Sequence, residues 1–309
     1  MPTFYPEGLL MDLAQNRQKL SSLWALEEAC QNRTILEARA IVCDSDHNLI
    51  VDLGAFRGMI PREEGALGIE DGSTRDIAII SRVGKPVCFL VTGFESSSGQ
   101  VTPVLSRRAA QQICMDEYVS GLMPGEIIGA RVTHLEPFGC FVDIGCGIPS
   151  MIPIDAISVS RISHTRDRFT VGADIKAVVK SVEDGRICLS HKELLGTWEE
   201  NAALFVPGET VAGIVRSVEN YGIFVELTPN LAGLAEPREG VAAGQHASVY
   251  IKSLIPQEMK VKLIIVDSFD AQVRPDPPDY FLTEGRLRVW RYSPGCAERV
   301  MQTVFYEEK

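Results

Sequence analysis

The sequence contains no apolar run near the roughly 20 residues that a membrane-spanning helix requires, so no membrane partner is expected. It has no CxxC pair, which argues against a thiol–disulfide motif and a structural zinc site. There is no phosphate-binding Gly-rich loop, no Gly-x-Ser-x-Gly elbow and no cluster of acids suited to a two-metal nuclease. His164 and His191 have no Cys or His partners at ligand spacing. An enzyme is therefore not expected, and neither is a cofactor or metal. The start, Met1-Pro2-Thr3-Phe4-Tyr5-Pro6, lacks a basic region followed by an apolar one, so no secretory signal is expected.

Positive charge is also short. Lys and Arg number 30 against 41 Asp and Glu, a net charge of -11, whereas high nonspecific affinity for nucleic acid needs a basic surface. The deficit is uneven. Residues 124–192 hold 8 Lys/Arg against 8 Asp/Glu and three of the five histidines, so the acid lies mainly outside this central stretch. What is present is a folding composition: 309 residues, 45% hydrophobic and 23% charged, enough for two to four compact units. The eight cysteines are scattered through predicted strands and helices, as expected of reduced thiols in a cytoplasm.

The chain repeats itself. Pro124-Gly125-Glu126 opens one segment and Pro207-Gly208-Glu209 another. Each continues with a strand-like stretch (127–135 and 211–218), a glycine-aromatic strand, a short apolar strand, and two further strands, the first preceded by Gly172 or Gly244. Five short strands in about 70 residues predict a small closed or nearly closed barrel. A weaker third copy precedes them: 37–43 and 48–54 match the first two strands, Gly58-Met59-Ile60-Pro61 parallels Ser150-Met151-Ile152-Pro153, and Val104-Leu105-Ser106 echoes Cys188-Leu189-Ser190. Residues 9–31 read as helical, with Leu10, Leu13, Leu20, Leu23, Trp24 and Leu26 on a broad apolar face. Helical linkers are predicted over 107–121 and 194–205. A C-terminal β-hairpin is predicted after Pro275-Asp276-Pro277-Pro278, with 286–292 as its second strand.

The glycine-aromatic strands break the inside–outside rule in the same way. In Phe138-Gly139-Cys140-Phe141-Val142-Asp143-Ile144, alternation puts Cys140, Val142 and Ile144 on one face and leaves Phe141 beside Asp143 on the polar one. In Tyr221-Gly222-Ile223-Phe224-Val225-Glu226-Leu227, Ile223, Val225 and Leu227 point inward and Phe224 shares a face with Glu226. A Phe on a polar face is suited to stack on a flat partner, and the intervening glycine leaves bare backbone between the rings. The alternative is that the rings cap the barrel mouth or pack under a linker. In the first copy His47 and Ile50 stand at these positions.

These segments resemble the S1-type OB-fold repeat, the RNA-binding module of bacterial ribosomal S1 proteins. The resemblance covers about 30–106, 124–192 and 207–266 and rests on the two aromatic strands and on Gly185-Arg186-Ile187-Cys188-Leu189-Ser190. It implies a mainly β protein of three tandem five-stranded OB barrels: an N-terminal helical segment (1–31), a degenerate barrel (32–107), a linker (108–123), a second barrel (124–192), a linker (193–206), a third barrel (207–268) and a C-terminal extension (269–309). It also implies single-stranded RNA bound on the open barrel face, by Phe138, Phe141 and Arg186 in the second barrel and by Tyr221, Phe224 and Lys260 in the third. The histidine and aspartate of the repeat do not carry over. Pro153 and Glu236 hold the histidine's place, and Glu183 and Asp184 follow the aspartate's.

Arg131 and Arg216 on the first strands are further candidate cations, Arg131 by its outward parity beside the rings. The run Arg161-Ile162-Ser163-His164-Thr165-Arg166-Asp167-Arg168 reads as a solvated loop or a phosphate contact. Arg286, Arg288, Trp290 and Tyr292 form either a basic-aromatic stripe or an arginine-blunted edge strand with its rings packed on the neighbouring barrel. Cys140 and Cys146 read as core residues. The expectation is an RNA-binding protein of translation or mRNA handling, with single-stranded RNA and the small ribosomal subunit or other RNA-associated proteins as partners. The rival readings are a protein-interaction adaptor with little RNA affinity and an accessory subunit of an RNA-processing complex.

Overall fold

The computed structural model describes residues 4–97, 100–183, 185–271 and 275–306. Its strands form three closed barrels of five strands each. The first contains β1 (Leu36–Cys43), β2 (Leu49–Asp52), β3 (Arg57–Ile60), β4 (Pro86–Ser97) and β5 (Gln100–Ser106). The second contains β6 (Ile127–Glu136), β7 (Gly139–Asp143), β8 (Pro149–Pro153), β9 (Asp174–Glu183) and β10 (Arg186–Ser190). The third contains β11 (Thr210–Glu219), β12 (Gly222–Thr228), β13 (Leu231–Ala235), β14 (His246–Ile255) and β15 (Lys260–Phe269). In each, the five strands close in the order first, second, third, fifth, fourth, the third and fifth running parallel. The repeats predict closed five-stranded barrels, and the OB fold is what the resemblance to the S1-type repeat implies.

The chain divides into two compact units, Met1–Leu122 with Asp143–Pro149, and Met123–Val142 with Ser150–Lys309. In the first unit, Leu36, Ala38, Leu49, Val51, Ile60, Phe89 and Leu105 fill the barrel. Helix α1 (Ala14–Lys19) and helix α2 (Leu23–Gln31) precede it, and α2 is capped by Ser22, whose hydroxyl accepts from Ala25 N–H at 3.2 Å. Ala25, Leu26 and Ala29 supply the buried stripe of α2. Trp24, placed by the sequence on the apolar face, lies off this stripe and is 72% exposed. Helix α3 (Ile77–Ile80) is a single turn, and α4 (Arg107–Glu117) is capped by Ser106.

Buried polar groups fix the N-terminal segment to this unit. Glu37, 1% exposed, accepts from the N–H groups of Gly8, Leu10 and Met11. Asn16 exchanges two hydrogen bonds with the Glu37 backbone, at 2.8 and 2.9 Å. Glu7 is fully buried and pairs with Arg107 at 2.7 Å and Arg82 at 3.1 Å. Asp143 accepts from Glu7 N–H at 2.7 Å and from Gly145 N–H and Gly147 N–H at 2.8 and 3.0 Å. Burial, reinforced by the Glu7 charge, pushes the Asp143 carboxyl above its usual range.

In the second unit the C-terminal segment is a strap rather than an appendage. Ile127 N–H donates to Gly285 O at 3.0 Å and Leu287 N–H to Gly125 O at 2.8 Å, on the second barrel. Further along, the Tyr292 hydroxyl donates to Asn230 O at 2.6 Å. Trp290 and Tyr292 are 6% and 5% exposed and belong to the core that holds Val215, Val225 and Val249 of the third barrel. Burying two such rings stabilises the strap by roughly 1.5–3 kcal/mol each. The ring-packing reading of this stripe is thus the correct one for Trp290 and Tyr292. Arg286 lies over the Tyr306 ring, 4.1 Å from its centre. The strand of this stripe, β16 (Val289–Arg291), is the first of its hairpin and not the second: it pairs with β17 (Gln302–Val304), which follows it. Helix α5 (Trp198–Ala202) is capped by Thr197 and Glu200 acting reciprocally.

Candidate nucleic-acid interface

The second and third barrels present the same pair of rings. Phe138 is 58% exposed and meets Phe141 edge-on, with ring centres 6.0 Å apart at 90°. Tyr221 is 69% exposed and meets Phe224 at 6.1 Å and 84°. Phe141 and Phe224 are half-buried. Each pair therefore offers one free ring and one ring seated on the barrel, two π-faces at the same place in both barrels.

The glycines between the rings have another purpose than bare backbone. A Cβ on Gly222 would come within 2.7 Å of Ala235 O, and one on Gly139 within 3.0 Å of Ile152 O. Both glycines are buried and let the second strand approach the third. The polar face inferred for these strands is likewise not polar throughout. Asp143 and Glu226 are 3% and 5% exposed. Only the ring end of each strand opens to solvent, and the acids are covered. Cys140, Val142 and Ile144 point inward as expected, with 0 to 1% exposure. Ile223 and Val225 also do, but a register shift after Glu226 leaves Leu227 half-buried.

The candidate cations separate into held and open ones. Arg131 pairs with Asp174 at 2.9 Å across β6 and β9. Arg216 grips Glu226 with two hydrogen bonds, at 2.8 and 2.9 Å, and is 12% exposed. Arg168 meets the same carboxylate at 2.5 Å, so the end of the basic run 161–168 enters a buried ion-pair network of the second unit. Removing one partner of such a network typically costs about 3–5 kcal/mol. His164 caps the 3-10 turn 165–167. Lys260 is exposed and meets Glu258 at 2.5 Å. Arg186 is exposed at the head of β10 and forms no ion pair among the described residues. Glu183 is its strand partner, and Asp184 lies outside the described residues.

The sequence reading missed His134. Its ring lies 6.3 Å from that of Phe141, tilted 41°, and Nε2 is 2.6 Å from Glu136 Oε1. Strict alternation from Arg131 would turn His134 inward. Instead Thr133 and His134 are exposed in succession, as at a bulge, and the first strands of the other two barrels carry register shifts. Period-two alternation carries no mark of such a bulge, so the residues alone give no signal for His134.

Residues 122–192 match the S1 RNA binding domain family. That match covers the middle barrel. Similarity extends well beyond it. The small ribosomal subunit protein bS1 of Staphylococcus aureus (strain COL) is 29% identical over 257 residues, which is 80% of this chain and 62% of that protein. The bS1 protein of Leuconostoc lactis is 28% identical over 275 residues, 83% of this chain and 62% of the relative. The chain thus spans 62% of the length of these curated relatives. A solved multidomain protein with nucleic acid binding domains from Streptococcus pneumoniae TIGR4 is 16% identical, with 75% of this chain and 73% of that chain covered and a TM-score of 0.25. No described helix is long and apolar enough to cross a membrane.

Proposed function

We propose that this chain binds single-stranded RNA through the S1 domain of residues 124–192, with the third barrel (207–268) assisting. The observation that carries this reading is the recurrence of the exposed edge-on ring pair at the same place in two barrels. Bases of any identity stack on such rings, each contributing about 1–3 kcal/mol, so binding is weak, tolerant of sequence and sensitive to salt. The second barrel is favoured because it adds His134 beside Phe141 and the open Arg186. The first barrel (32–107) has His47 and Ile50 in place of the rings, and His47 lies 3.6 Å from Asp76, so it serves structure or protein docking. The likeness to ribosomal bS1 supports a non-enzymatic role in translation or mRNA handling in the cytoplasm, with the small ribosomal subunit or other RNA-associated proteins as partners.

Titration of labelled single-stranded RNA at low and moderate salt tests this. Wild-type chain should bind more tightly at low salt, and Phe138→Ala/Phe141→Ala should weaken binding at least tenfold, the loss of about 1.4 kcal/mol or more of stacking. No binding at low salt, or binding indifferent to the double substitution, would favour the protein-interaction adaptor. Co-purification of a nuclease or polymerase in place of ribosomal subunits would favour the accessory-subunit reading.

A further inference from the structure

The third barrel carries a cation that sequence alignment of the repeats does not select. Its strand register draws a row across four strands: Phe224 opposite Leu234, Leu234 opposite Lys262, and Lys262 opposite Ser253. Paired residues project from the same face of a sheet. Burial agrees, because Phe224 and Leu234 are half-buried and Lys262 is exposed, while Val225, Gly233, Val261 and Leu263 beside them are buried. Lys262 therefore stands on the ring face, two strands from Phe224. At ~4.8 Å per strand their backbones are roughly 10 Å apart, a gap that an extended lysine and the nearest phosphate of a base stacked on Phe224 would close.

The second barrel shows what is distinctive here. Its matching row runs through Met151, Cys188 and Ser181. Met151 lies against the Cβ position of Gly139 as Leu234 does against that of Gly222, which fixes the equivalence of the two rows. Cys188 thus holds the place of Lys262, and Arg186 that of Lys260. On the ring face, the cation without an ion pair among the described residues stands at different points: Arg186 in the second barrel, Lys262 in the third. Lys260 is engaged by Glu258 at 2.5 Å, whereas Lys262 forms no ion pair among the described residues.

We infer that Lys262, and not Lys260, is the phosphate contact of the third barrel, receiving the backbone of single-stranded RNA whose base stacks on Phe224. This rests on the RNA-binding reading above. The test uses the full chain carrying Phe138→Ala/Phe141→Ala, so that the third barrel dominates, with labelled single-stranded RNA over a range of salt. In that background Lys262→Gln should weaken binding several-fold and lower the slope of log affinity against log salt by about 0.7, the value for one phosphate contact on a single strand. Lys262→Arg should restore most of both, and Lys260→Gln should change affinity less than twofold. A larger loss with Lys260→Gln, or an unchanged slope with Lys262→Gln while Phe224→Ala still weakens binding, overturns the assignment and leaves the RNA reading intact. Failure of the wild-type chain to bind at low salt overturns both.

Discussion

A Phe on the outer face of a strand is explained by what it meets, and here the two rings of each pair meet edge-on. That much was legible: the repeated spacing of Phe138 with Phe141 and of Tyr221 with Phe224 placed both pairs at one site. The cations were less legible, because charge in a sequence does not reveal its partner. Arg216 and Arg168 converge on Glu226, a contact 58 residues long in the case of Arg168, and no local pattern announces it. Cys188 offers a direct residue-level probe, since it is half-buried in the row through Met151, beside the proposed path of the RNA. Saturating single-stranded RNA should slow its alkylation several-fold, read by mass spectrometry, while the exposed Cys296 reacts at an unchanged rate. Phe138→Ala/Phe141→Ala should remove that protection. Equal Cys188 rates with and without bound RNA would place the strand elsewhere.

Among elements, the strands were readable because each repeat has its own period-two core; the order in which they close is a finding of the structure. The strap was not, because its hold comes from distant pairs such as Tyr292 with Asn230, 62 residues apart. The two Pro-Gly-Glu openings make the difference measurable. Gly125 has φ of +90°, and an added Cβ would lie 1.9 Å from Leu287 O. Gly208 has φ of +100°, with nothing within 4 Å of an added Cβ. Gly208→Ala should therefore cost only the left-handed backbone term, about 1–2 kcal/mol. Gly125→Ala pays that term and also forces Leu287 away, breaking its bond to Gly125 O. Denaturant titration should show the larger loss for Gly125→Ala. Hydrogen exchange should show the amides of Ile127 and Leu287 opening in that variant and not in Gly208→Ala. Equal losses and unchanged exchange at Leu287 would mean that the strap does not depend on this contact.

At the scale of the whole molecule, a buried polar contact within the second unit adds to the backbone bonds and rings that join barrel to strap. His191, 1% exposed, has Nδ1 2.9 Å from Ile157 O and Nε2 3.1 Å from the Tyr280 hydroxyl, which also accepts from Lys176 N–H at 3.0 Å. A neutral ring satisfies this arrangement by donating from Nδ1 and accepting at Nε2. Burial pushes the His191 pKa down to about 4; the hydrogen bond to Ile157 opposes the shift and the Arg168 charge adds to it. Because the folded value lies below the unfolded value of about 6.5, the unfolded chain takes up the proton first. The stabilisation is therefore complete above about pH 6.5 and is lost as the pH falls from there through about 4, a total of roughly 3 kcal/mol. Protonated His191 can no longer accept from Tyr280, so strap and second barrel should loosen together. Denaturant midpoints of the full chain from pH 7.5 to 4.5, with hydrogen exchange at Leu287, should fall below pH 6.5 in the wild type. His191→Gln, which cannot titrate, should start lower and fall less over the same interval. Parallel pH curves for the two proteins would show that the acid sensitivity of this unit comes from carboxylates, and that His191 is a packed ring without control over the strap.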